Sequence, residues 1–291
     1  MTWTAGIDLG GTNLKAVAVT ADGVCLERVV KPTASSADAP TEWVRAVREA
    51  LDAFQRQQGA DPAFVGVCAP GLAARDGRSI AHLPERLRGI VGLDWTRALD
   101  RQHTVPVEND AHAALLGEAW VGAARDYRHI LMLTLGTGVG GAVMLDGRLV
   151  RGALGRAGHI GHISLDPAGP TSITGMPGAL EALIGDYTVP TRTEGKFADT
   201  AALVAGYRAG DLDATRCWLH SIRVLACAVA SGINLLDPEV VVIGGGIAQA
   251  GDALFIPLDR ELARVEWRPG GHRVPVVPAQ LGEWAGAIGA A

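Results

Sequence analysis

The N-terminal segment combines an acid, a glycine turn and a lysine, which together suit phosphate and metal binding. It reads Gly6-Ile7-Asp8-Leu9-Gly10-Gly11-Thr12-Asn13-Leu14-Lys15. An apolar run, a turn and a second alternating run predict two strands joined by a hairpin. Gly10 and Gly11 lack Cβ atoms, so the turn can adopt positive φ and bring backbone N–H groups close to an anion. The threonine and asparagine add donors, the lysine adds a cation, and Asp8 could hold Mg²⁺ through water. A plain hairpin with a surface lysine accounts for the same residues.

A second hairpin of the same type follows more than a hundred residues later. It reads Leu133-Thr134-Leu135-Gly136-Thr137-Gly138-Val139-Gly140-Gly141-Ala142-Val143. The order is again apolar strand, glycine and threonine turn, apolar strand. Two hairpins of one type so far apart predict two related lobes that face one ligand.

The two hairpins resemble the phosphate-1 and phosphate-2 loops of the actin-like ATPase and hexokinase superfamily. Within it, residues 8–15 are most similar to the ROK family of bacterial sugar kinases and repressors. The resemblance implies an α/β, two-lobed actin-like ATPase (ribonuclease-H-like) fold, with mixed sheets flanked by helices and an active site in the interlobe cleft. We expect an N-terminal lobe over 1–110, with the last helix (about 282–291) packing back on it, and a larger C-terminal lobe over 111–281.

Composition narrows the classes of function. The 291 residues suffice for two domains, and a net charge of −5 provides no basic field for nucleic acid. The longest apolar stretch, about 224–236, contains Ser231 and Asn234 and is too short to span a bilayer. The N-terminus has no basic region before an apolar core, and the four cysteines form no metal-like cluster. We therefore expect a cytoplasmic protein without membrane or nucleic-acid partners.

Periodicity predicts alternating strands and helices. The expected strands lie at 3–30 (three strands), 63–68, 105–107, 129–150, 240–243 and 274–277. The expected helices lie at 41–58, from 110 to 120, 179–187, 197–209, 214–236 and from 282 onward. The glycine- and proline-rich piece from 152 to 178 predicts loops on the substrate side.

Asp110 is the candidate general base, because phosphoryl transfer to an alcohol needs a carboxylate within reach of the hydroxyl. It follows a short strand and begins a helix, where either Asn109 or Asp110 could equally serve as an N-cap. Both roles are compatible, since a helix N-terminus favours the ionised carboxylate. In ROK kinases the matching Asn-Asp pair supplies a sugar contact and the catalytic base. The strand-end turn at Gly71 is a further candidate substrate contact.

The resemblance also assigns a nucleotide site. In the family the equivalent of Gly244-Gly245-Gly246 contacts adenosine, and we assign Gly245 and Gly246 to this role. Nucleotide contacts are also expected from the two hairpins, at Asp8, Gly10, Gly11, Thr12, Asn13, Lys15, Gly136, Thr137 and Gly138. A triple glycine alone would suit any tight turn between a strand and a helix.

The sugar side departs from the family pattern. ROK proteins carry Glu-x-Gly-His, whereas this chain has His159-Ile160-Gly161-His162. The family's three zinc-binding cysteines are replaced by Ser172, Thr174 and Ala179, which cannot replace thiolate ligands, so we expect no structural zinc. A metal site at the two histidines has too few ligands. Glu181 matches a sugar-contacting glutamate, although a first-turn helix glutamate is common.

Together with these residues, the resemblance implies an ATP- and Mg²⁺-dependent hexose kinase that acts on a 6-hydroxyl. His159 in place of glutamate leaves the sugar open between glucose and an amino-hexose such as kanosamine, although imidazole tolerates ammonium less well than carboxylate does. A sugar-responsive repressor is a second class, but only five residues precede Gly6, and we find no basic recognition helix. A non-catalytic sugar-binding protein is a third class. The family resemblance also implies a homodimer.

Overall fold

The computed structural model describes residues 2–35, 39–84 and 86–291, and the chain divides into two compact units. Unit 1 consists of Met1–Arg125, Arg151–Ala157 and Leu281–Ala291, and unit 2 consists of Asp126–Val150 and Gly158–Gln280. The helix that follows Asp110 therefore lies in unit 1, so the first unit extends beyond the expected limit at residue 110. Residues 151–157 also belong to unit 1, which no pattern in the sequence indicated.

The strands of the described residues are numbered in chain order. They are β1 (Trp3–Leu9), β2 (Asn13–Thr20), β3 (Cys25–Pro32), β4 (Val65–Ala69), β5 (Leu72–Ala73), β6 (Ile80–His82), β7 (Val107–Asn109), β8 (Ile130–Leu135), β9 (Val139–Leu145), β10 (Arg148–Leu149), β11 (Val240–Gly244) and β12 (Val276–Pro278).

The α-helices of the same residues are numbered likewise. They are α1 (Ala39–Gln58), α2 (Trp95–Ala98), α3 (Asp110–Val121), α4 (Leu180–Ile184), α5 (Val189–Arg192), α6 (Thr200–Arg208), α7 (Leu212–Leu236), α8 (Asp252–Val265) and α9 (Ala285–Ala290). Short 3₁₀ turns occur at Ile160–His162, Asp186–Thr188, Gly246–Ala250, Pro269–Gly271 and Gly282–Trp284.

Unit 1 contains a five-stranded mixed sheet in the order β3-β2-β1-β4-β7. The first three strands form an antiparallel meander, and β4 and β7 run parallel to β1. Asp8 pairs with Cys68, and Cys68 pairs with Glu108. The carboxyl ends of these parallel strands therefore meet at one edge, where ligands bind in open α/β sheets.

The last helix packs directly on this sheet because two strands carry glycine where it approaches. A Cβ on Gly6 would lie 1.8 Å from the Ala287 carbonyl oxygen, and one on Gly66 would lie 2.0 Å from that of Ala290. Distances below about 3.0 Å are incompatible with a real side chain. Gly6 of the first hairpin motif is thus required for packing of α9.

Unit 2 contains a second mixed sheet, in the order β10-β9-β8-β11-β12. Helix α7 covers it with a buried apolar stripe that includes Trp218, Ile222, Leu225 and Val229. Among the described helices, α7 has the length and composition of a membrane span, and half of its most apolar window is buried. Its stripe packs in the core of unit 2, as the spacing of its apolar residues predicts.

The expected helix at 179–187 is interrupted. Helix α4 ends at Ile184, and a 3₁₀ turn follows at Asp186–Thr188. After the break, the backbone of this segment is hydrogen-bonded to the second hairpin. The N–H groups of Asp186 and Tyr187 donate to the carbonyls of Gly136 and Thr137 at 3.0 and 3.2 Å. The apolar spacing of the segment gave no sign of these bonds.

Candidate functional site

The first hairpin is held by its own backbone and by the end of β3. The Gly10 N–H donates to the Asn13 carbonyl at 3.0 Å, and the Thr33 hydroxyl donates to the Gly10 carbonyl at 2.8 Å. Thr12 and Asn13 are exposed at the turn, as is Gly11. These contacts fix the turn while leaving its outer surface accessible.

The first hairpin does not use the positive φ that glycine permits, since neither Gly10 nor Gly11 is among the glycines with positive φ. A Cβ built on Gly11 meets no heavy atom of the described residues within 4 Å, and the same holds for Gly136 in the second hairpin. Open space beside the backbone, and not a left-handed turn, is therefore what these two glycines provide. A bulky anion can approach such a surface closely.

Lys15 lies opposite Asp8 in the β1–β2 pair. Its Nζ is 3.1 Å from both the backbone carbonyl oxygen and Oε2 of Glu283. Glu283 is largely exposed, so its carboxylate is a weak competitor for the ammonium group. Lys15 therefore lies close to the hairpin but is engaged by the C-terminal segment.

Asp8 is a half-buried carboxylate at the end of β1. Burial raises the pKa of Asp8 from 3.8 to about 6, and the negative charge of Asp110 adds to the rise while Lys15 opposes it. The neighbouring Cys68 thiol is buried and its pKa is raised well above the usual value, so it stays protonated and hydrogen-bonds to Asp8. Two carboxylates are thus held in mutual repulsion, a feature typical of functional sites.

Asp110 begins α3, and Asn109 is the N-cap of that helix. The Asn109 Oδ1 accepts from the backbone N–H groups of Ala111 and His112 at 2.9 and 3.1 Å. Its Nδ2 donates to the Gly71 carbonyl and to Asp110 Oδ1, both at 2.9 Å. The side chain's hydrogen-bonding groups are therefore all used within the protein, so a sugar hydroxyl would have to replace one of these bonds.

The Asp110 carboxylate is balanced between burial and hydrogen bonding. Burial raises its pKa, and the Ala111 N–H, the Asn109 amide and the charge of His112 oppose that rise. Its Oδ1 accepts from Asn109 and from Ala111, each at 2.9 Å. An acid with a raised pKa and a fixed orientation is suited to general base catalysis.

Three residues beside Asp110 were missed from the sequence. Glu108 Oε1 lies 3.0 Å from His112 Nδ1, and Glu108 Oε2 accepts from Arg151 Nε at 2.7 Å and Nη2 at 2.6 Å. Burial raises the pKa of Glu108, but hydrogen bonds from His112 and Asn109 and the charge of Arg151 hold it below the usual value. The separation of four residues between Glu108 and His112 was the one feature of the sequence that could have indicated their contact. Nothing in the sequence indicated the contact with Arg151.

In unit 2, a cavity of about 510 Å³ adjoins the second hairpin. It is lined by Gly136 and Thr137 of the hairpin, Gly246 of the triple glycine, and side chains from Asp186, α6 and the 3₁₀ turn after β11. The volume falls within the range of about 300–1,000 Å³ typical of small-molecule sites. The structure therefore brings the second hairpin and the triple glycine together at one cavity.

Several residues that line this cavity were missed from the sequence: Asp186, Asp199, Thr200, Arg208 and Gln249. The Asp199 side chain caps α6 by accepting from the Ala202 N–H at 2.8 Å. The Asp186 side chain accepts from the Thr200 N–H at 2.7 Å. An aspartate before an apolar segment can indicate the start of a helix such as α6. It does not indicate that this helix lies beside the second hairpin.

Gly245 is a position where only glycine fits. Its φ is 88°, and a Cβ there would lie 2.2 Å from the Leu135 carbonyl oxygen at the end of β8. Gly246 has neither constraint, because a Cβ there meets nothing within 4 Å. The first of these glycines shapes the turn, and the second leaves the cavity wall flat.

Glu181 lies between the second hairpin and the histidines. It is 3% exposed, and a Cβ on Gly138 would lie 3.0 Å from its Oε2. Its Oε1 is 3.4 Å from His162 Nδ1, and within the described part of the chain both atoms are buried without a hydrogen-bond partner. Such buried polar atoms cost free energy unless a ligand or water pairs with them.

His159 precedes the 3₁₀ turn at Ile160–His162, and His162 is the last residue of that turn. Their rings lie 6.1 Å apart between centroids and are 21° from parallel. The structure therefore brings together His159, His162 and Glu181, the three substrate-side residues predicted within unit 2. Asn109, Asp110 and Gly71 form the corresponding group in unit 1.

The segment that matches the family's zinc site is organised by hydrogen bonds. Ser172 Oγ and Thr174 Oγ1 are 2.9 Å apart, and the Ser172 N–H donates to the Met176 carbonyl at 2.9 Å. Over residues 2–35, 39–84 and 86–291, no three histidine, cysteine or acidic side chains are grouped to hold a metal. These donors do not fit a structural zinc ion.

The requirements of Mg²⁺ are different. This ion usually keeps several waters and binds through one or two carboxylates together with the phosphates of a substrate. Asp8 is a single oxygen donor whose ionised form is disfavoured by burial and by Asp110. A cation would offset that repulsion, so Asp8 fits a water-mediated Mg²⁺ contact.

The chain is similar to known sugar kinases over nearly all of its length. A sequence profile described as the ROK family matches residues 4–291. The chain is 32% identical over 305 residues to a glucokinase of Thermotoga maritima, covering 98% of this chain and 95% of the relative. It is 33% identical over 292 residues to an N-acetylmannosamine kinase of Escherichia fergusonii, covering 99% of this chain and 97% of the relative.

Solved structures give the same result. A ROK hexokinase from Thermus thermophilus matches with a TM-score of 0.87 at 33% identity, covering 100% of this chain and 97% of that one. A ROK family glucokinase from Streptomyces griseus, in complex with glucose and AMPPNP, matches with a TM-score of 0.79 at 27% identity, covering 99% and 98%. The two-lobed sugar-kinase fold expected from the paired hairpins is thereby confirmed.

Proposed function

This chain belongs to the ROK family, and from that premise we propose that it is a sugar kinase that transfers the γ-phosphoryl group of ATP to the 6-hydroxyl of a hexose. The observation that carries the proposal is the cavity that unites Gly136, Thr137 and Gly246. Its size suits a nucleotide. The glucokinase of Streptomyces griseus, which binds glucose and AMPPNP, supports both the donor and the acceptor class.

We assign the roles within unit 1 as follows. Asp110 accepts the proton of the sugar hydroxyl, Asn109 orients Asp110, and Gly71 fixes Asn109 through its carbonyl. Because the transition state of phosphoryl transfer is loose, a carboxylate of modest basicity suffices. Asp8 would hold Mg²⁺ through water, and the ion neutralises charge on the transferred phosphoryl group when bound.

In unit 2, the second hairpin and Gly245–Gly246 bind the nucleotide, while Glu181, His159 and His162 bind the sugar. Glu181 Oε1 and His162 Nδ1 have no hydrogen-bond partner among the described residues, which supports this assignment, since sugar hydroxyls supply such partners. Glu181 also adjoins Gly138, so the proposed sugar contact lies beside the proposed phosphate-binding hairpin. The first hairpin, including Gly10–Asn13 and Lys15, completes the phosphate contacts.

A hexose whose amino group is acylated is the second candidate acceptor, in place of the free amine of kanosamine. His159 carries no negative charge, so an ammonium group finds no counter-ion at that position. An acetamido group is neutral and offers both a donor and an acceptor to imidazole. The 33% identity to an N-acetylmannosamine kinase supports this candidate as strongly as the 32% identity to a glucokinase supports glucose.

The test is a coupled assay of ADP release with glucose, mannose, glucosamine, N-acetylmannosamine and kanosamine, and with polyphosphate as an alternative donor. Asp110→Asn should lower sugar-dependent turnover about 10²–10⁴-fold with little change in the KM for ATP. Asp52→Asn, on the exposed face of α1, is the matched control. Near-wild-type turnover of Asp110→Asn would remove Asp110 from the mechanism.

Two further results would change the class of function. Sugar binding by calorimetry without phosphoryl transfer from either donor would indicate a non-catalytic sugar-binding protein. Salt-sensitive binding to duplex DNA in a gel shift would indicate a repressor. The homodimer stays a prediction from the resemblance, and light scattering in solution tests it. The cytoplasmic location stays a prediction from the N-terminus and the cysteines.

A further inference from the structure

A buried histidine lies two residues after Asp110, and both of its ring nitrogens face acceptors. His112 is fully buried; its Nδ1 is 3.0 Å from Glu108 Oε1 and its Nε2 is 3.1 Å from the Ala157 carbonyl oxygen. A neutral imidazole has one N–H and would direct a lone pair at one of these two oxygens. Only the imidazolium form donates to both.

The acceptor on one side is a fully hydrogen-bonded carboxylate. Glu108 Oε1 accepts from the Asn109 N–H at 3.0 Å in addition to His112, and Oε2 accepts from Arg151. Hydrogen bonds to a carboxylate favour its ionised form, and an ionised carboxylate favours the cationic form of an adjacent histidine. A buried cation beside a buried anion also avoids the cost of an isolated charge.

The contacts join three parts of unit 1. Glu108 is in β7, His112 is in the first turn of α3, and Ala157 ends the segment Arg151–Ala157. The Ala157 N–H donates to the Arg151 carbonyl at 3.2 Å, which closes that segment on itself. The two bonds of the His112 ring therefore fix the start of the helix that carries Asp110.

We propose that His112 is held as an imidazolium and is the positioning residue for Asp110: it anchors the first turn of α3 to Glu108 and Ala157 and places a positive charge beside the carboxylate. The part concerning catalysis rests on the proposed kinase function, whereas the charge state of His112 does not. The charge of His112 is among the influences that oppose the effect of burial on Asp110, whereas that of Arg151 is not.

The other charged and titratable groups near this pair belong to neighbouring elements. Asp8 on β1 is repelled by Asp110, Lys15 on β2 acts on Asp8, and the Cys68 thiol on β4 stays protonated. Those groups are the same in a His112 variant, so a change in pH dependence in that variant is assigned to the lost imidazolium.

The charge state is tested directly by ¹⁵N NMR of the histidine rings in the protein without nucleotide or sugar. His112→Gln identifies the His112 signals among the eight histidines. At pH 8 both ring nitrogens of His112 should be protonated, and Glu108→Gln should abolish that signature while preserving the shape of the side chain. A single ring N–H at pH 8 in the unmodified protein would overturn the proposal.

The positioning role is tested by the pH dependence of kcat/KM. In His112→Gln the acid limb should move to higher pH, which makes the rate on that limb at least about threefold lower relative to the plateau. Arg151→Met is the matched control: Arg151 contacts the same Glu108 carboxylate, but its charge is not among the influences on the pKa of Asp110, so its loss should leave the pH profile unchanged. A profile in His112→Gln identical to that of the unmodified protein would also overturn the proposal.

Failure of this proposal can be distinguished from failure of the proposed kinase function. If no sugar elicits ADP release, the kinase proposal fails, and the ¹³C resonance of the Asp110 carboxyl group replaces the rate as readout. Its titration should then move to higher pH in His112→Gln and stay in place in Arg151→Met. If His112→Gln does not fold, the loss of the imidazolium signature in Glu108→Gln decides the charge state. The role is then decided in a second variant, His112→Asn, which also removes the positive charge but keeps Glu108: an Asp110 titration that stays in place in that variant would overturn it.

Discussion

Asp8→Asn should make the protein more stable at neutral pH while abolishing its activity. The pKa of Asp8 is raised from 3.8 to about 6 because the carboxylate is buried and faces Asp110. Above pH 6 the Asp8 carboxyl group is ionised in the folded protein, and holding that charge in this environment lowers the stability of the folded state. Asparagine has nearly the same shape and carries no charge, so it removes that penalty.

The magnitude follows from the shift. The difference between 3.8 and about 6 is roughly two units, and each unit corresponds to about 1.36 kcal/mol, which gives a gain of about 3 kcal/mol at pH 7.5. The sign can be followed along the pH scale. Below pH 3.8 the carboxyl group is protonated in both folded and unfolded states, so the gain vanishes; at pH 4.5 it should be about 1 kcal/mol.

Urea unfolding monitored by tryptophan fluorescence is the appropriate assay, in buffers without divalent cations. Trp3, Trp43 and Trp95 are buried in the core of unit 1, so the signal reports mainly on the unit that contains Asp8. Asp52→Asn, which removes an exposed carboxylate from α1, should change stability by less than about 0.5 kcal/mol at either pH. A gain of the same size at pH 4.5 and pH 7.5, or none at pH 7.5, would refute the reasoning.

The result has a functional meaning. A charge that lowers the stability of the folded state is retained when function requires it, and sites of this kind show a trade-off between stability and activity. Mg²⁺ bound near Asp8 would offset the repulsion from Asp110. Asp8→Asn should therefore lose most Mg²⁺-dependent turnover at the same pH at which it gains stability.

Three further predictions concern unit 2. Gly245→Ala should raise the KM for ATP at least about tenfold and lower the free energy of unfolding by about 1–3 kcal/mol. The reason is that φ of Gly245 is 88° and the new Cβ would lie 2.2 Å from the Leu135 carbonyl oxygen. Gly246→Ala, which meets neither constraint, is the matched control for the strain. Thr200→Val should leave unfolding within about 1 kcal/mol of the original, since the buried Thr200 hydroxyl has no hydrogen-bond partner among the described residues, but should weaken nucleotide binding measured by calorimetry. Incubation with EDTA followed by gel filtration should leave the melting temperature unchanged, because hydrogen bonds organise residues 164–179; a fall of several degrees that zinc reverses would contradict this.

The two hairpins and the placement of Asp110 were predictable because their signals are local. Glycine and threonine between two apolar runs specify a tight turn, and an acid after a short strand marks the start of a helix. Parallel pairing of β4 and β7 with β1 then brings the strand ends together at one edge of the sheet. A pattern of a few residues and one rule of sheet topology were sufficient.

The remainder of the site depends on contacts between distant residues. Arg151 reaches Glu108 across 43 positions of sequence, and Asp199 and Thr200, at the start of α6, line the same cavity as Thr137 of the second hairpin. No periodicity or motif connects such positions, because the bonds form only after each unit has packed. The sequence can identify the type of a side chain, whereas its partner is a property of the tertiary structure.

The glycines of the first hairpin motif show that residues of one motif can serve different purposes. The first hairpin motif contains glycine at 6, 10 and 11, which the sequence presents as one feature. Gly6 is required where α9 packs on the sheet, whereas Gly11 faces open space. Substituting Gly6 by alanine would therefore act on the packing of unit 1, and substituting Gly11 would act on the approach of an anion. Gly6 and Gly11 are the same residue type in the sequence. Only the atoms near the position of the missing Cβ distinguish a glycine required for packing from one that leaves room for a ligand.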